Sequence, residues 1–181
     1  MGSEGPAAVT IHVTGFKKFH GVSENPTETI VNKLKEYMKR MVYQKLHFGV
    51  NSGASRFAIE HQAINEATFR CPDEMGWKPQ KVPIIPADGG ISRIRETSLP
   101  VEEITKALAK KGFEVMTSDD AGRFVCNYVY YHSLRFAEQN MITSLFVHVP
   151  LFLTIDEETQ MQFVASLLEV LAALSGWICA A

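Results

Sequence analysis

The sequence predicts an α/β fold of three layers, α/β/α, built around a mainly parallel sheet. Two observations carry this prediction. Segments whose apolar residues alternate with polar ones, typical of strands, take turns along the chain with longer segments of helical spacing. The segment Ser144 to Val149 is nearly all apolar, which is typical of a buried strand in a parallel sheet.

The first part of the chain is predicted to contain two strands and one helix. Apolar and polar residues alternate from Val9 to Thr14, which predicts the first strand. A helix is predicted to begin at Pro26, because proline suits the first helical position and Asn25 can accept a hydrogen bond from the first turn. Alternation returns over Lys45 to Val50, the second predicted strand.

The middle of the chain has a less regular pattern. Ala58 to Ile64 is compatible with a strand, and the prolines and glycine of Arg70 to Lys81 predict an irregular loop. A helix is predicted over Pro100 to Lys111, ended by Gly112. A short strand is predicted over Phe113 to Met116.

In the last part of the chain, one helix is predicted before the buried strand and another after it. Apolar spacing predicts a helix over Gly122 to Gln139. Asp156 can cap a final helix, whose inward face is formed by Val164, Leu167, Leu168, Leu171 and Leu174.

Length and composition predict a single domain over residues 1–181, with flexible tails at 1–8 and 176–181. The chain is 46% hydrophobic and 21% charged, which excludes a disordered chain. Its 18 basic and 20 acidic residues form no basic stripe, so nucleic acid is not an expected partner. Glu169 interrupts the most apolar segment, which favours a core helix over a membrane span.

The three cysteines, Cys71, Cys126 and Cys179, cannot all pair with one another. This favours a reducing compartment, and with no signal peptide visible we expect a cytoplasmic protein. The histidines share no metal-ligand spacing and no glycine-rich phosphate loop occurs, so neither a metal nor a cofactor is expected.

Three residues stand where an α/β fold could use them for chemistry. Cys126 lies near the predicted start of a helix, whose positive end favours a thiolate, although an inert buried cysteine fits the same position. His148 ends the buried strand and would face the ligand crevice, or it is a core histidine. Glu60 lies in an apolar segment and could orient an imidazole, or it faces solvent.

Four segments of the chain carry a recognisable pattern. They are Thr14-Gly15-Phe16-Lys17-Lys18-Phe19 with Asn25-Pro26-Thr27, Ile59-Glu60-His61-Gln62-Ala63-Ile64-Asn65, Ala121-Gly122-Arg123-Phe124-Val125-Cys126-Asn127, and Phe146-Val147-His148-Val149-Pro150. In this order they resemble the motifs TGFxPF…NP, ERxAxN, AGxxxCN and FxHVP of the pyroglutamyl-peptidase I family (pyrrolidone-carboxylate peptidases), and the chain resembles its plant pyroglutamyl-peptidase I-like members. The resemblance covers Val9 to Val170.

The resemblance implies a cysteine peptidase that removes N-terminal pyroglutamyl residues from peptides and needs no cofactor. Family members are often oligomers, so a homo-oligomer is an open expectation. Carried over by motif, the nucleophile is Cys126, the base His148, the orienting acid Glu60, the aromatics that flank the pyrrolidone ring Phe16 and Phe19, and the arginine near the oxyanion Arg70.

Two departures from the family's pattern leave a second hypothesis open. The family has a further strand and helix before the strand at Lys45 to Val50, and here only Met41 to Gln44 intervenes. The loss of such a unit, roughly 30 residues, would expose a sheet edge or part of the apolar residues along one face of the first predicted helix, here called the stripe. The family's proline is Lys18 here, next to Lys17. The alternative is therefore a catalytically impaired binding module or a non-functional truncated isoform. The stripe is Ile30, Leu34, Tyr37, Met38 and Met41.

Overall fold

A computed structural model describes residues 11–18, 24–34 and 44–178 of the chain. The predicted tail at 1–8 lies outside these residues. Of the predicted C-terminal tail, residues 176–178 continue the last helix and 179–181 lie outside the description.

The secondary structure alternates between strands and helices along the described residues, with a cluster of short strands in the middle. In chain order the elements are β1 (Ile11–Thr14), α1 (Pro26–Leu34), β2 (Gln44–Val50), β3 (Phe57–Glu60), β4 (Gln62–Ile64), β5 (Glu66–Ala67), β6 (Val82–Pro83), β7 (Ile94–Glu96), α2 (Val101–Lys110), β8 (Val115–Ser118), α3 (Val125–Asn140), β9 (Thr143–Val149) and α4 (Glu157–Ile178).

The central sheet has five strands in the order β1-β2-β9-β3-β8. β1, β2 and β9 run parallel to one another, and β3 runs parallel to β8. Among the described strands of this sheet, the one antiparallel pairing joins β9 to β3. The predicted fold class, α/β with a mainly parallel sheet, is confirmed, and the apolar segment predicted to be a buried strand is the central strand β9.

Helices cover both faces of this sheet. On one face α1, α2 and α4 enclose a core in which the rings of Phe57 and Phe163 stack with centroids 3.7 Å apart. On the other face α3 packs over Phe146, with Tyr130, Tyr131 and Leu134 buried beneath it. Alternate residues of β9 therefore enter different cores, because successive side chains of a strand point to opposite faces.

Local chemistry explains where the helices begin and end. The Asn25 side chain accepts a hydrogen bond from the Thr27 N–H at 3.1 Å, and Asp156 does the same for Thr159 at 2.9 Å. Both caps are therefore formed as predicted. α3 begins three residues later than predicted, because Gly122 has a positive φ of 80°, which a right-handed helix cannot include.

The predicted strand over Ala58 to Ile64 is two strands, β3 and β4, which His61 separates. β3 belongs to the central sheet, whereas β4 pairs with β7 and β5 pairs with β6 on the α3 side. Asn65 holds this excursion together: its buried side chain accepts the Ile85 N–H at 2.8 Å and donates to the Ile85 carbonyl at 3.1 Å.

The first helix is well covered where the structure describes it. Ile30 and Leu34 are buried in the core with α4, so for these two residues the expected loss of partner surface is not found. The rest of the stripe, Tyr37, Met38 and Met41, lies outside the described residues. β1 and β2 are adjacent and parallel, and residues 15–43, which include α1, connect them.

β1 is an edge strand of the central sheet in the described part of the chain. Strand edges promote association between chains, so we expect the protein to form oligomers in solution. Size-exclusion chromatography with light scattering over a concentration series measures this. A monomeric mass at every concentration would contradict both this expectation and the homo-oligomer inferred from the resemblance.

Candidate active site

Cys126 is the second residue of α3 and is half-buried. The helix begins after Phe124, which provides no side-chain cap. The first N–H groups of a helix have no partner within the helix, and they carry its positive partial charge. The thiol therefore lies among backbone donors that can stabilise negative charge.

The residue after it, Asn127, fixes the start of α3 against the small sheets. Its fully buried amide accepts the Ile64 N–H at 2.9 Å and donates to the carbonyls of Ile64 and Glu66 at 2.8 and 3.0 Å. Sequence reasoning missed this role. The available signal was a polar residue directly after the cysteine, where the helix turns towards the core.

Pairing of β3 with β9 brings Glu60 to His148. Glu60 lies opposite Phe146, two residues before His148 in β9, so the two side chains are diagonal neighbours on one face. His148 Nδ1 donates to Glu60 Oε1 at 2.7 Å, and both side chains are buried. Because a carboxylate can only accept, Nδ1 carries a proton and Nε2 is left for the sulfur of Cys126.

The charge state of His148 follows from these two partners. Burial by itself lowers the pKa of His148, but hydrogen bonds and charge from Cys126 and Glu60 outweigh it and raise the pKa to about 9. At neutral pH the ring is therefore an imidazolium that faces a thiol. A positive charge beside a cysteine favours the thiolate form, which is the nucleophile.

A second histidine on the same face behaves in the opposite way. His47 of β2 is buried, and that burial together with the charge of Lys45 lowers its pKa to about 4. Its Nε2 hydrogen-bonds with the Ser133 hydroxyl at 2.7 Å rather than with a carboxylate. His47 is therefore a neutral core histidine.

Gly49 makes room for the thiol and its histidine. It lies beside His148 in the register of β2 with β9. A Cβ atom at this position would stand 2.6 Å from the Phe146 ring and 2.9 Å from Cys126 Sγ, closer than real side chains approach. Sequence reasoning missed this steric role of Gly49.

The thiol opens into a cavity of about 500 Å³ with a largely apolar lining that includes five aromatic rings. Phe16 and Arg70 both line it. Phe16 is anchored through its backbone, whose N–H donates to Thr27 Oγ1 at 2.8 Å. The Arg70 guanidinium is exposed and lies 5.6 Å from the centroid of the Phe124 ring. Phe19 lies outside the described residues.

The structure therefore brings Glu60, His148 and Cys126 together, and Cys126 lines the cavity with Phe16 and Arg70. Within residues 11–18, 24–34 and 44–178, no three His, Cys, Asp or Glu side chains are grouped so that they could hold a metal ion. No helix of this part of the chain is long and apolar enough to cross a membrane. Cys71 and Cys126 are free thiols.

Comparisons with protein families and with known proteins all find pyroglutamyl (pyrrolidone-carboxylate) peptidases. A family model described as pyroglutamyl peptidase matches residues 36–178. The chain is similar to a pyrrolidone-carboxylate peptidase of Pyrococcus furiosus, with 30% identity over 167 residues that cover 76% of this chain and 79% of the relative. One from Vibrio vulnificus is 34% identical over 169 residues, with 77% of each chain covered.

Among solved structures, the fold resembles pyrrolidone carboxyl peptidase from Fervidobacterium islandicum AW-1, with a TM-score of 0.83 and 25% identity. The match covers 90% of this chain and 98% of that one. The alignment with the Pyrococcus furiosus relative has 167 positions, but it covers only 76% of the 181 residues of this chain, which is fewer than 167 residues. The relative therefore has residues without a counterpart here, as a missing segment predicts.

Gly49→Ala is expected to separate Cys126 from His148, because the new methyl group needs the space of the sulfur and the Phe146 ring. We expect the rate of Cys126 alkylation by iodoacetamide at pH 7 to fall about tenfold. Mass spectrometry of the labelled peptides measures the rate at each cysteine.

The matched control is Gly53→Ala, where the nearest atom to an added Cβ is Asn51 Oδ1 at 3.8 Å. It should leave labelling of Cys126 unchanged. A Gly49→Ala protein that is labelled as fast as the wild type would contradict the steric role.

Proposed function

The chain belongs to the pyroglutamyl peptidase family, and from that premise we propose that it hydrolyses the bond after an N-terminal pyroglutamyl residue, with Cys126 as the nucleophile. The observation that carries the proposal is the position of His148. It donates to Glu60 at 2.7 Å and faces Cys126, and these two groups raise its pKa to about 9.

In the first step, the Cys126 thiolate attacks the carbonyl carbon of the pyroglutamyl residue. The His148 imidazolium then gives its proton to the departing amine, and a thioester between Cys126 and the pyroglutamyl group is left. In the second step, the neutral imidazole takes a proton from a water molecule, whose oxygen attacks the thioester. Free pyroglutamate leaves, and the thiolate–imidazolium pair is restored.

We assign Glu60 as the residue that orients the imidazole, since its carboxylate holds Nδ1 and directs Nε2 to the sulfur. Negative charge that develops on the carbonyl oxygen would be stabilised by the N–H groups at the start of α3. Each such donor is typically worth about 3 kcal/mol in the transition state. Arg70, on the cavity wall, would add positive charge to the same region.

A pyroglutamyl ring is flat and neutral, so recognition depends on aromatic faces and amide hydrogen bonds rather than on charge. Phe16 lines the cavity and we assign it to one face of the ring. Phe19, three residues later in the same motif, is proposed for the other face.

Further attributes remain part of the proposal. Free thiols at Cys71 and Cys126 support the proposal of a protein of the reducing cytoplasm. A single domain over residues 1–181 that needs neither metal nor cofactor stays a prediction. A plant-type member stays a prediction. The impaired or truncated alternative rests on the missing segment, yet every residue of the proposed Cys-His-Glu set lies in described elements after residue 44.

Hydrolysis of a fluorogenic pyroglutamyl amide tests the function. We expect turnover by the wild type and none above background by Cys126→Ser. Iodoacetamide near neutral pH should label Cys126 before Cys71 and Cys179, and activity should fall in step. A folded wild type without turnover would favour the alternative of an impaired module, and labelling of Cys71 or Cys179 with activity intact would contradict the nucleophile.

Glu60→Gln is expected to lower kcat by roughly a hundredfold with little change in melting temperature, because it acts on the geometry of His148. The pH profile gives an independent readout. Since the imidazolium is the proton donor, wild-type activity should fall as pH rises through about 9. Without the Glu60 charge the pKa of His148 is lower, so the fall should come at lower pH.

The matched control is Glu103→Gln, an exposed acid of α2, which should keep both the rate and the profile. If Glu60→Gln turned over normally with an unchanged profile, Glu60 would have no part in orienting His148.

A further inference from the structure

We propose that the outer wall of the Cys126 cavity, formed by Trp77 and Met75, is a subsite for a large apolar side chain on the second residue of the peptide. The inference rests on the proposed function and defines its substrate class. The preferred substrates are pyroglutamyl peptides that continue with an aromatic or large aliphatic residue.

The cavity is larger than a pyroglutamyl group alone requires. A pyroglutamyl group is one five-membered ring with a carbonyl, whereas the cavity measures about 500 Å³. Because the scissile carbonyl must reach Cys126, which is half-buried, the rest of the peptide has to leave through the more exposed end of the cavity, its mouth, at Trp77 and Met75. The side chain that follows the scissile bond is therefore the first to pass the outer wall.

An aromatic wall leads from the helix start to that mouth. Phe69 packs edge-to-face on Phe124, just before Cys126 in the chain, with centroids 4.7 Å apart. Trp77 packs on Phe69 at 5.1 Å and on Tyr128 at 5.5 Å. Exposure rises along this path from 2% at Phe69 to 44% at Trp77 and 91% at Met75. Phe69 therefore belongs to the core, whereas Trp77 and Met75 offer apolar surface to a ligand.

A constrained turn presents this surface. Asp73 accepts the Met75 and Trp77 N–H groups at 2.9 and 2.8 Å, and the Asp73 N–H donates to the Trp77 carbonyl at 2.9 Å. Gly76 supplies the positive φ of 82° that the turn requires. A tryptophan and a methionine held open to water by such a turn are informative, because contiguous exposed apolar surface marks binding sites.

The charged residues at the mouth of the cavity do not strongly favour either a positively or a negatively charged ligand. Lys17, Lys18 and Arg70 line the cavity together with Asp73 and Glu74. The selective contact is therefore the apolar one. Covering the exposed face of Trp77 removes apolar area from water, which small second residues such as alanine cannot do.

The test compares two tripeptides, pyroglutamyl-Phe-Gly and pyroglutamyl-Ala-Gly, by the ratio of their kcat/KM values. We expect the wild type to favour the phenylalanine peptide by about tenfold, the scale of a partly buried apolar contact. Trp77→Ala should bring the ratio below about 2. Since the ratio is taken within one protein sample, a general loss of activity does not change it.

Two further variants complete the design. Met75→Ser removes a side chain that is almost fully exposed, so it should fold normally and lower the ratio part of the way. The matched control is Phe136→Ala, because Phe136 is as exposed as Trp77, at 44%, but lines a different cavity with Lys45 and His132. The control should keep the wild-type rate and ratio.

Each outcome has a defined meaning. Equal cleavage of both peptides by the wild type, or a ratio that stays near tenfold in both Trp77→Ala and Met75→Ser, would overturn the subsite while the peptidase function stands. If the wild type cleaved neither peptide nor the fluorogenic amide, the proposed function would fail, and the subsite would fail with it.

Discussion

The register of β9 with its two neighbours decides where the reacting groups of this protein lie. On one side the antiparallel pairing with β3 sets Glu60 diagonally next to His148. On the other side the parallel pairing with β2 sets Gly49 beside His148, and its missing side chain leaves the space that Cys126 occupies. A shift of one residue in the pairing with β3 would turn Glu60 to the opposite core, and one in the pairing with β2 would remove Gly49 from its place beside His148, because side chains alternate between faces.

Two histidines on one face of the central sheet show that hydrogen-bonding partners, rather than burial, determine the charge of a histidine. His47 and His148 lie on adjacent strands, and burial lowers the pKa of both. His47 hydrogen-bonds with hydroxyl groups and stays neutral, with a pKa of about 4. His148 hydrogen-bonds with a carboxylate and a thiol, so its pKa rises to about 9. The sheet therefore contains one histidine suited to structure and one suited to proton transfer.

Side chain to backbone hydrogen bonds build the cavity from segments that have little regular structure. Asn127 joins the start of α3 to β4 and β5, Thr27 holds the backbone of Phe16, and Asp73 forms the turn that presents Trp77. Short polar side chains serve here because they reach neighbouring backbone groups and satisfy them where no strand or helix can. The aromatic rings of the cavity are thus positioned by hydrogen bonds of short polar side chains to the backbone.

The sequence by itself determined the layered α/β class, the caps at Asn25 and Asp156, and the residue types of the candidate site, because hydrophobic period, capping chemistry and local motifs are properties of neighbouring residues. Only the tertiary structure decided the antiparallel pairing of β3 with β9, the steric role of Gly49 and the opposite charge states of His47 and His148. Each of these depends on which strands become neighbours, and residues as distant as Glu60 and His148 meet only when the sheet has formed.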